Sequence, residues 1–432
     1  MNWKETYKSR IAKSEKAIKA IKDGDYVVFS ETAGVPQLIA KTLAEHKDDY
    51  RDVKIYHMLT LGDAPYLKPE CYGHFRHITN FVGGNSRQAL LDQQADFIPC
   101  YFKDVPAMLG EAFPVDVAVV SVSHPDMDGF CSFGVSCDYA KAATKKAKVV
   151  IAEMNEMTPF TFGPENKIHV SEIDYIVPCA YRLPEIPNPV IGEVEKSIGK
   201  NCATLIKDGD TLQLGIGAIP DAVLLSLNDK KDLGIHTEMF SDGVVDLVEA
   251  GVITNKKKNL HKGKFVSTFI MGTRKVYDFI DNNPSVALYP VDYVNDPWVI
   301  GQNDNLVSIN SCIEVDLMGQ VVSETLGLKQ FSGTGGQVDF VRGAALSKGG
   351  ISIMAMPSTA AKGKASRIVP FLAEGAAVTT PRNDVDYVVT EYGIAKMKGK
   401  SLRERAQNLI SIAHPDFREG LTKEFESRFG TI

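Results

Sequence analysis

The chain is 432 residues long, 44% apolar and 24% charged, a balance that excludes disorder over most of its length and provides core material for two or three domains. Its 48 basic and 54 acidic side chains leave a net charge of −6, which argues against a nucleic-acid-binding surface. No apolar run reaches the roughly 18 residues of a membrane span, the Met1-Asn2-Trp3 start lacks a signal-peptide core, and seven scattered cysteines without a CxxC pair fit reduced thiols in the cytoplasm.

In chain order, Asp23-Gly24-Asp25 forms a turn that feeds a strand from Tyr26 to Phe29. A small-residue turn, Gly34-Val35-Pro36, then opens a helix from Gln37 to Leu43. Cys71-x2-His74-x2-His77 has metal-like spacing but no fourth ligand nearby, so no metal is expected. The mostly continuous apolar runs Val115–Val120 and Val149–Ala152 read as parallel strands buried on both faces. Between them, Asp126-Met127-Asp128-Gly129 reads as a tight turn before Phe130. Another strand follows from Glu172 to Val177.

These features then recur in the same order. Asp208-Gly209-Asp210 feeds Thr211–Leu214, and Gly215 to Pro220 leads into a helix ending near Leu227. Asp316-Leu317-Met318-Gly319 repeats the tight turn, Ile351–Ala355 is a further buried run, and Asp384–Val389 matches Glu172–Val177. Between the two series, Pro184, Pro187 and Pro189 disfavour both helix and central strand. The expected organisation is α/β: two similar open domains with mainly parallel sheets, at 1–182 and 191–432, joined by a linker at 183–190. Ser401 to Phe429 reads as polar helices.

Three segments of the second half carry candidate chemistry. Gln213-Leu214-Gly215-Ile216-Gly217-Ala218-Ile219-Pro220 leaves a strand and enters a helix, a turn that offers backbone N–H groups to an anion. Its GxGxxP pattern departs from the dinucleotide fingerprint. Phe331-Ser332-Gly333-Thr334-Gly335-Gly336-Gln337 permits positive φ and close approach of a ligand, so its N–H groups suit an oxyanion hole. Leu233 to Phe240 reads as a short strand ending in a Ser241-Asp242-Gly243 turn, with Glu238 in apolar surroundings where a carboxylate is costly unless paired or functional. A GxSxG elbow, an HExxH helix and a Walker loop are absent from the sequence.

At these segments the sequence resembles the family I coenzyme A transferases, in the acetyl-CoA hydrolase/transferase branch. The resemblance covers nearly the whole chain. It is specific in the combination of Glu238-Met239-Phe240-Ser241-Asp242-Gly243 with Gly333-Thr334-Gly335-Gly336-Gln337-Val338-Asp339-Phe340. It implies that Glu238 is the catalytic carboxylate. It implies that Gln213, Gly215, Ile216, Gly217, Ala218, Ile219, Ile313, Gly335, Gly336 and Lys362 contact CoA, and that the Gly335 and Gly336 N–H groups serve the oxyanion. The expected partners are an acyl-CoA such as acetyl- or butyryl-CoA and a short-chain acid such as 4-hydroxybutyrate, butyrate or acetate. CoA is then a substrate, no separate cofactor is called for, and a homo-oligomer is expected by analogy. Acyl-CoA hydrolysis and a non-catalytic CoA-sensing module are the competing readings. At its ordinary pKa of about 4.3 the glutamate would be almost fully ionised at pH 7 and would need no partner base.

Overall fold

The structure, a computed structural model, describes residues 3–430; Met1 and Asn2, used above in reading the N-terminus, lie outside the described residues. The chain forms two compact units. One takes the chain up to Pro187 together with Val266–Val294; the other takes Asn188–Phe265 and the chain from Asn295 onward. The first crossing falls within the proline-rich 183–190 segment. Val266–Val294, which the sequence reading placed in the second domain, packs instead with the first unit.

The first unit is built on a seven-stranded sheet. Its elements in chain order are β1 (Tyr26–Phe29), helix α1 (Gln37–Glu45), β2 (Val53–Tyr56), β3 (Phe75–Thr79), β4 (Ala95–Phe97), β5 (Val117–Val122), β6 (Val149–Asn155) and β7 (Tyr175–Cys179). The order is β4-β3-β2-β1-β5-β6-β7, parallel throughout. Alternation along β5 sends Val117 and Val119 to one buried cluster, with Val27, Ile39 and Leu43, and Val120 and Val122 to another, with Ala152 and Ile176. Both faces are therefore covered, which is why β5 is a continuous apolar run. Each such side chain contributes about 1.5–3 kcal/mol on burial.

The second unit repeats this plan with β8 (Thr211–Leu214), α2 (Ala218–Leu225), β9 (Gly234–Ile235), β10 (Leu306–Ser311), α3 (Gln337–Leu346), β11 (Ile351–Ala355), β12 (Tyr387–Thr390) and β13 (Gly393–Lys396). The order is β9-β8-β10-β11-β12-β13, with only β13 antiparallel. The registers match across the duplication. Val27 pairs with Val117 and Leu212 with Val307; Val119 pairs with Ile151 and Ile309 with Ile353; Ile151 pairs with Tyr175 and Ile353 with Tyr387.

The duplicated turns agree bond for bond. Asp25 accepts from Lys22 N–H at 2.7 Å and Asp210 from Lys207 N–H at 2.8 Å; Asp23 and Asp208 accept from Arg51 and Lys231 N–H, both at 2.8 Å. The intervening Gly24 and Gly209 take φ of 76° and 82°, where a Cβ would be strained. In the later turn, Asp126 Oδ1 accepts from Asp128 and Phe130 N–H, and Asp316 Oδ1 from Met318 and Gln320 N–H. Among the described residues no helix is long and apolar enough to cross a membrane.

Candidate active site

The site assembles in the second unit from three segments at the ends of β8, β9 and the loop before α3. The expected single strand from Leu233 is broken: β9 stops at Ile235, and a second short strand covers Met239–Phe240. The expected Ser-Asp-Gly turn is instead the start of a helix over Asp242–Glu249, with Ser241 at its N-cap. Glu238 therefore lies on an irregular stretch, which frees its side chain from the alternation of a sheet.

The carboxylate of Glu238 meets two donors. Asn295 Nδ2 donates to its Oε2 at 2.7 Å, and the Gly336 backbone N–H also donates to the carboxylate. Gly336 is the N-cap of α3, so the charge sits at the positive end of a helix. A Cβ at Gly336 would fall 1.9 Å from Glu238 Oε2 and 2.3 Å from Asn295 Nδ2, so only glycine admits this contact. Gly335, at φ 53°, turns the loop into that position. Buried Asp339 stands behind, its Oδ2 3.5 Å from Asn295 Nδ2.

Burial pushes the Glu238 pKa up to about 7, against the lowering pull of the Asn295 and Gly336 donors. This corrects the expectation of near-complete ionisation at neutral pH. Glu238 is half-buried, and the sequence showed its apolar neighbours but not how far the folded chain screens its carboxyl from water.

The glycine turn runs beside this group. Helix α2 begins at Ala218, with Gly217 as N-cap at φ 113° and no side chain capping it. Space is open around the α-carbons of both Gly215 and Gly217, and Ile216 is partly exposed. Ala218 and Ile219 form the first turn of α2, Ile219 largely buried. Gln213 is buried, and its Oε1 accepts from Ser308 Oγ at 2.6 Å and Asn310 Nδ2 at 3.2 Å. It braces β8 against β10. Ile313 lies just past β10, its N–H on the Val322 carbonyl at 2.8 Å. Lys362 is exposed at the tip of the hairpin joining Thr359–Ala360 to Ala365–Ser366, with φ of 57°.

Cys71, His74 and His77 turn to separate partners: the Pro65, Tyr50 and Ile55 carbonyls respectively. Asn295 went unnoticed in the sequence. It is 57 residues from Glu238 in the chain, and no motif or periodicity marks it.

Comparison with known proteins agrees with this fold. Residues 1–190 match the acetyl-CoA hydrolase/transferase N-terminal domain and residues 272–425 the acetyl-CoA hydrolase/transferase C-terminal domain. The chain is 59% identical to a 4-hydroxybutyrate coenzyme A transferase of Clostridium kluyveri, over 99% of this chain and 100% of that one. It is 37% identical to a butyryl-CoA:acetate CoA-transferase of Anaerostipes caccae, over 99% and 98%. Among solved structures, a 4-hydroxybutyrate CoA-transferase from Porphyromonas gingivalis superposes with a TM-score of 0.87 at 48% identity, covering 99% of this chain and 100% of that one. RipA from Yersinia pestis gives 0.94 at 38% identity, covering 99% of each. The duplicated parallel sheets, the matched domains and the full-length likeness together make this chain a member of the acetyl-CoA hydrolase/transferase family and a CoA-transferase.

Proposed function

We propose that the enzyme moves CoA between a short-chain acyl-CoA and a carboxylic acid such as 4-hydroxybutyrate, through a thioester formed on Glu238. The observation that carries this is the Glu238 carboxylate itself, held by Asn295 Nδ2 and the Gly336 N–H beside the open glycine turn. The 59% identical relative is named for 4-hydroxybutyrate, and others are named for butyrate or acetate, which supports the short-chain class.

A carboxylate oxygen of Glu238 attacks the acyl carbonyl carbon, the C–S bond breaks, and CoA leaves as thiolate. The product is a mixed anhydride of Glu238 and the donor acid. The thiolate then attacks the Glu238 carbonyl carbon and releases the donor carboxylate, leaving a glutamyl-CoA thioester. An acceptor carboxylate runs the same steps backwards. Charges balance without a net proton.

The donors already on Glu238 are well placed for the second attack, in which negative charge builds on the glutamyl oxygen. Asn295 Nδ2 and the Gly336 N–H would strengthen as that charge grows, the requirement for transition-state rather than ground-state stabilisation. The Gly215–Ile219 turn, with the positive end of α2 behind it, is the proposed seat for part of CoA, and the exposed Lys362 a partner for its phosphates.

With a nucleophile pKa of about 7, only the deprotonated form reacts, so turnover rises with pH through neutrality. Glu238→Gln is expected to lower transfer by at least about 10³-fold while CoA binding stays measurable. Borohydride added with acyl-CoA is expected to inactivate the native enzyme by reducing the glutamyl thioester, and to leave Glu238→Gln chemically unmodified. Near-native turnover in the variant, or unchanged mass of the native enzyme after treatment, would rule out this route. Thioester loss without added acid would identify water as acceptor and hydrolysis as the activity.

A further inference from the structure

We propose that Thr237 is the positioning residue that fixes both the nucleophile and the first peptide of the glycine turn; this rests on the reading of Glu238 given above. Strand β9 pairs with β8 as far as Ile235, and the His236 N–H still reaches the Leu212 carbonyl at 3.1 Å. A continuing parallel ladder would next bond Leu214 through backbone groups on either side of Thr237. Instead the Thr237 hydroxyl takes both places. It donates to the Leu214 carbonyl at 3.0 Å and accepts from the Leu214 N–H at 3.3 Å. Thr237 itself is 1% exposed.

Two consequences follow. The backbone at 237 and 238 is released from the sheet without leaving Leu214 unsatisfied, so Glu238 can turn toward Gly336. And the Leu214 carbonyl belongs to the peptide bond that opens Gly215–Gly217, so one hydroxyl ties the carboxylate to the turn. The other edge of the strand is held as well: Ile235 N–H donates to Asn255 Oδ1 at 2.8 Å, and buried Lys258 Nζ donates to the Ile235 carbonyl at 2.7 Å. Since β9 is an edge strand, these side chains stand in for a missing neighbour. Thr237 is the last anchor before the reacting group.

Thr237→Val keeps the shape and removes both bonds. Misplacing a reacting group by about an ångström can cost on the order of a hundredfold, so kcat is expected to fall about ten- to a hundredfold. The KM for acyl-CoA is expected to rise as well, because the same hydroxyl fixes the turn proposed to seat CoA, and borohydride capture at saturating acyl-CoA to slow in parallel with kcat. Thr237→Ser, which retains the hydroxyl, is expected to recover most of the rate; Thr237→Ala, which differs from it by that hydroxyl, is not. The Ser and Ala pair decides the matter if the valine variant does not fold. A purely structural role would lower Tm and leave kcat per folded molecule unchanged. A kcat within about twofold of native in folded Thr237→Val or Thr237→Ala overturns the proposal. The two readings fail separately: turnover in Glu238→Gln removes the nucleophile, whereas an inert Glu238→Gln beside a fully active Thr237→Val removes only the positioning role.

Discussion

The two units start from the same turn, the same first strand and the same helix, yet they treat the N-terminus of that helix in opposite ways. In the first unit, Glu153 at the end of β6 reaches back to α1: its Oε2 accepts the Ile39 N–H at 2.8 Å, and its Oε1 accepts the Tyr181 hydroxyl, which in turn accepts the Gln37 N–H at 3.2 Å. Glu153 is fully buried, and desolvation raises its pKa. In the second unit the matched register puts Ala355 where Glu153 stands, so no carboxylate occupies the corresponding place. One copy has filled its helix terminus with its own carboxylate; the other carries an alanine at the matched position. Duplication supplied matched positions on β6 and β11, and only the first of them carries a structural brace.

The comparison can be broken at its functional end first. Gly336→Ala forces a methyl into the space of Glu238 and Asn295, and transfer is expected to fall about 10²- to 10³-fold, the cost typical of losing an oxyanion donor. An assay at saturating acyl-CoA checks this. At the structural end, Glu153→Ala strands the Ile39 N–H and the Tyr181 hydroxyl; thermal or urea unfolding should show a loss of about 2–5 kcal/mol, with activity per folded molecule unchanged. Ala355→Glu transplants the brace into the second unit, and its added charge should compete for the α2 terminus, raising the KM for acyl-CoA about tenfold. The smallest effect concerns protons. Asn295 holds the Glu238 pKa down, so Asn295→Ala should move the midpoint of the pH–rate profile upward from about 7 by roughly one unit. A downward shift would mean that Asn295 acts on some other group.

Much of this was legible in the residues. The Asp-Gly-Asp turns, the buried runs and the Asp126–Gly129 and Asp316–Gly319 pair announced the duplication, because turn chemistry and apolar patterning are local. Glu238 and the Gly335-Gly336 loop could be singled out for the same reason: a costly carboxylate and a loop of glycines stand out from their neighbours. What stayed hidden was long-range. Asn295, Thr237 and Glu153 are unremarkable in sequence and acquire meaning only from what faces them 57, 23 and 114 residues away. The raised pKa of Glu238 depends on three-dimensional enclosure, which periodicity does not encode.

The excursion of Val266–Val294 into the first unit bears on how this polypeptide can be divided. A cut at the prolines would leave the downstream fragment carrying Val276, Tyr277 and Ile280, side chains that are buried in the intact molecule and whose segment belongs with the upstream fragment. A severed downstream fragment would carry those apolar side chains without the unit they pack in. The return point of that excursion is Asn295, the residue that grips Glu238. Folding of the first unit thereby fixes where the chain re-enters the second, at the residue that holds Glu238.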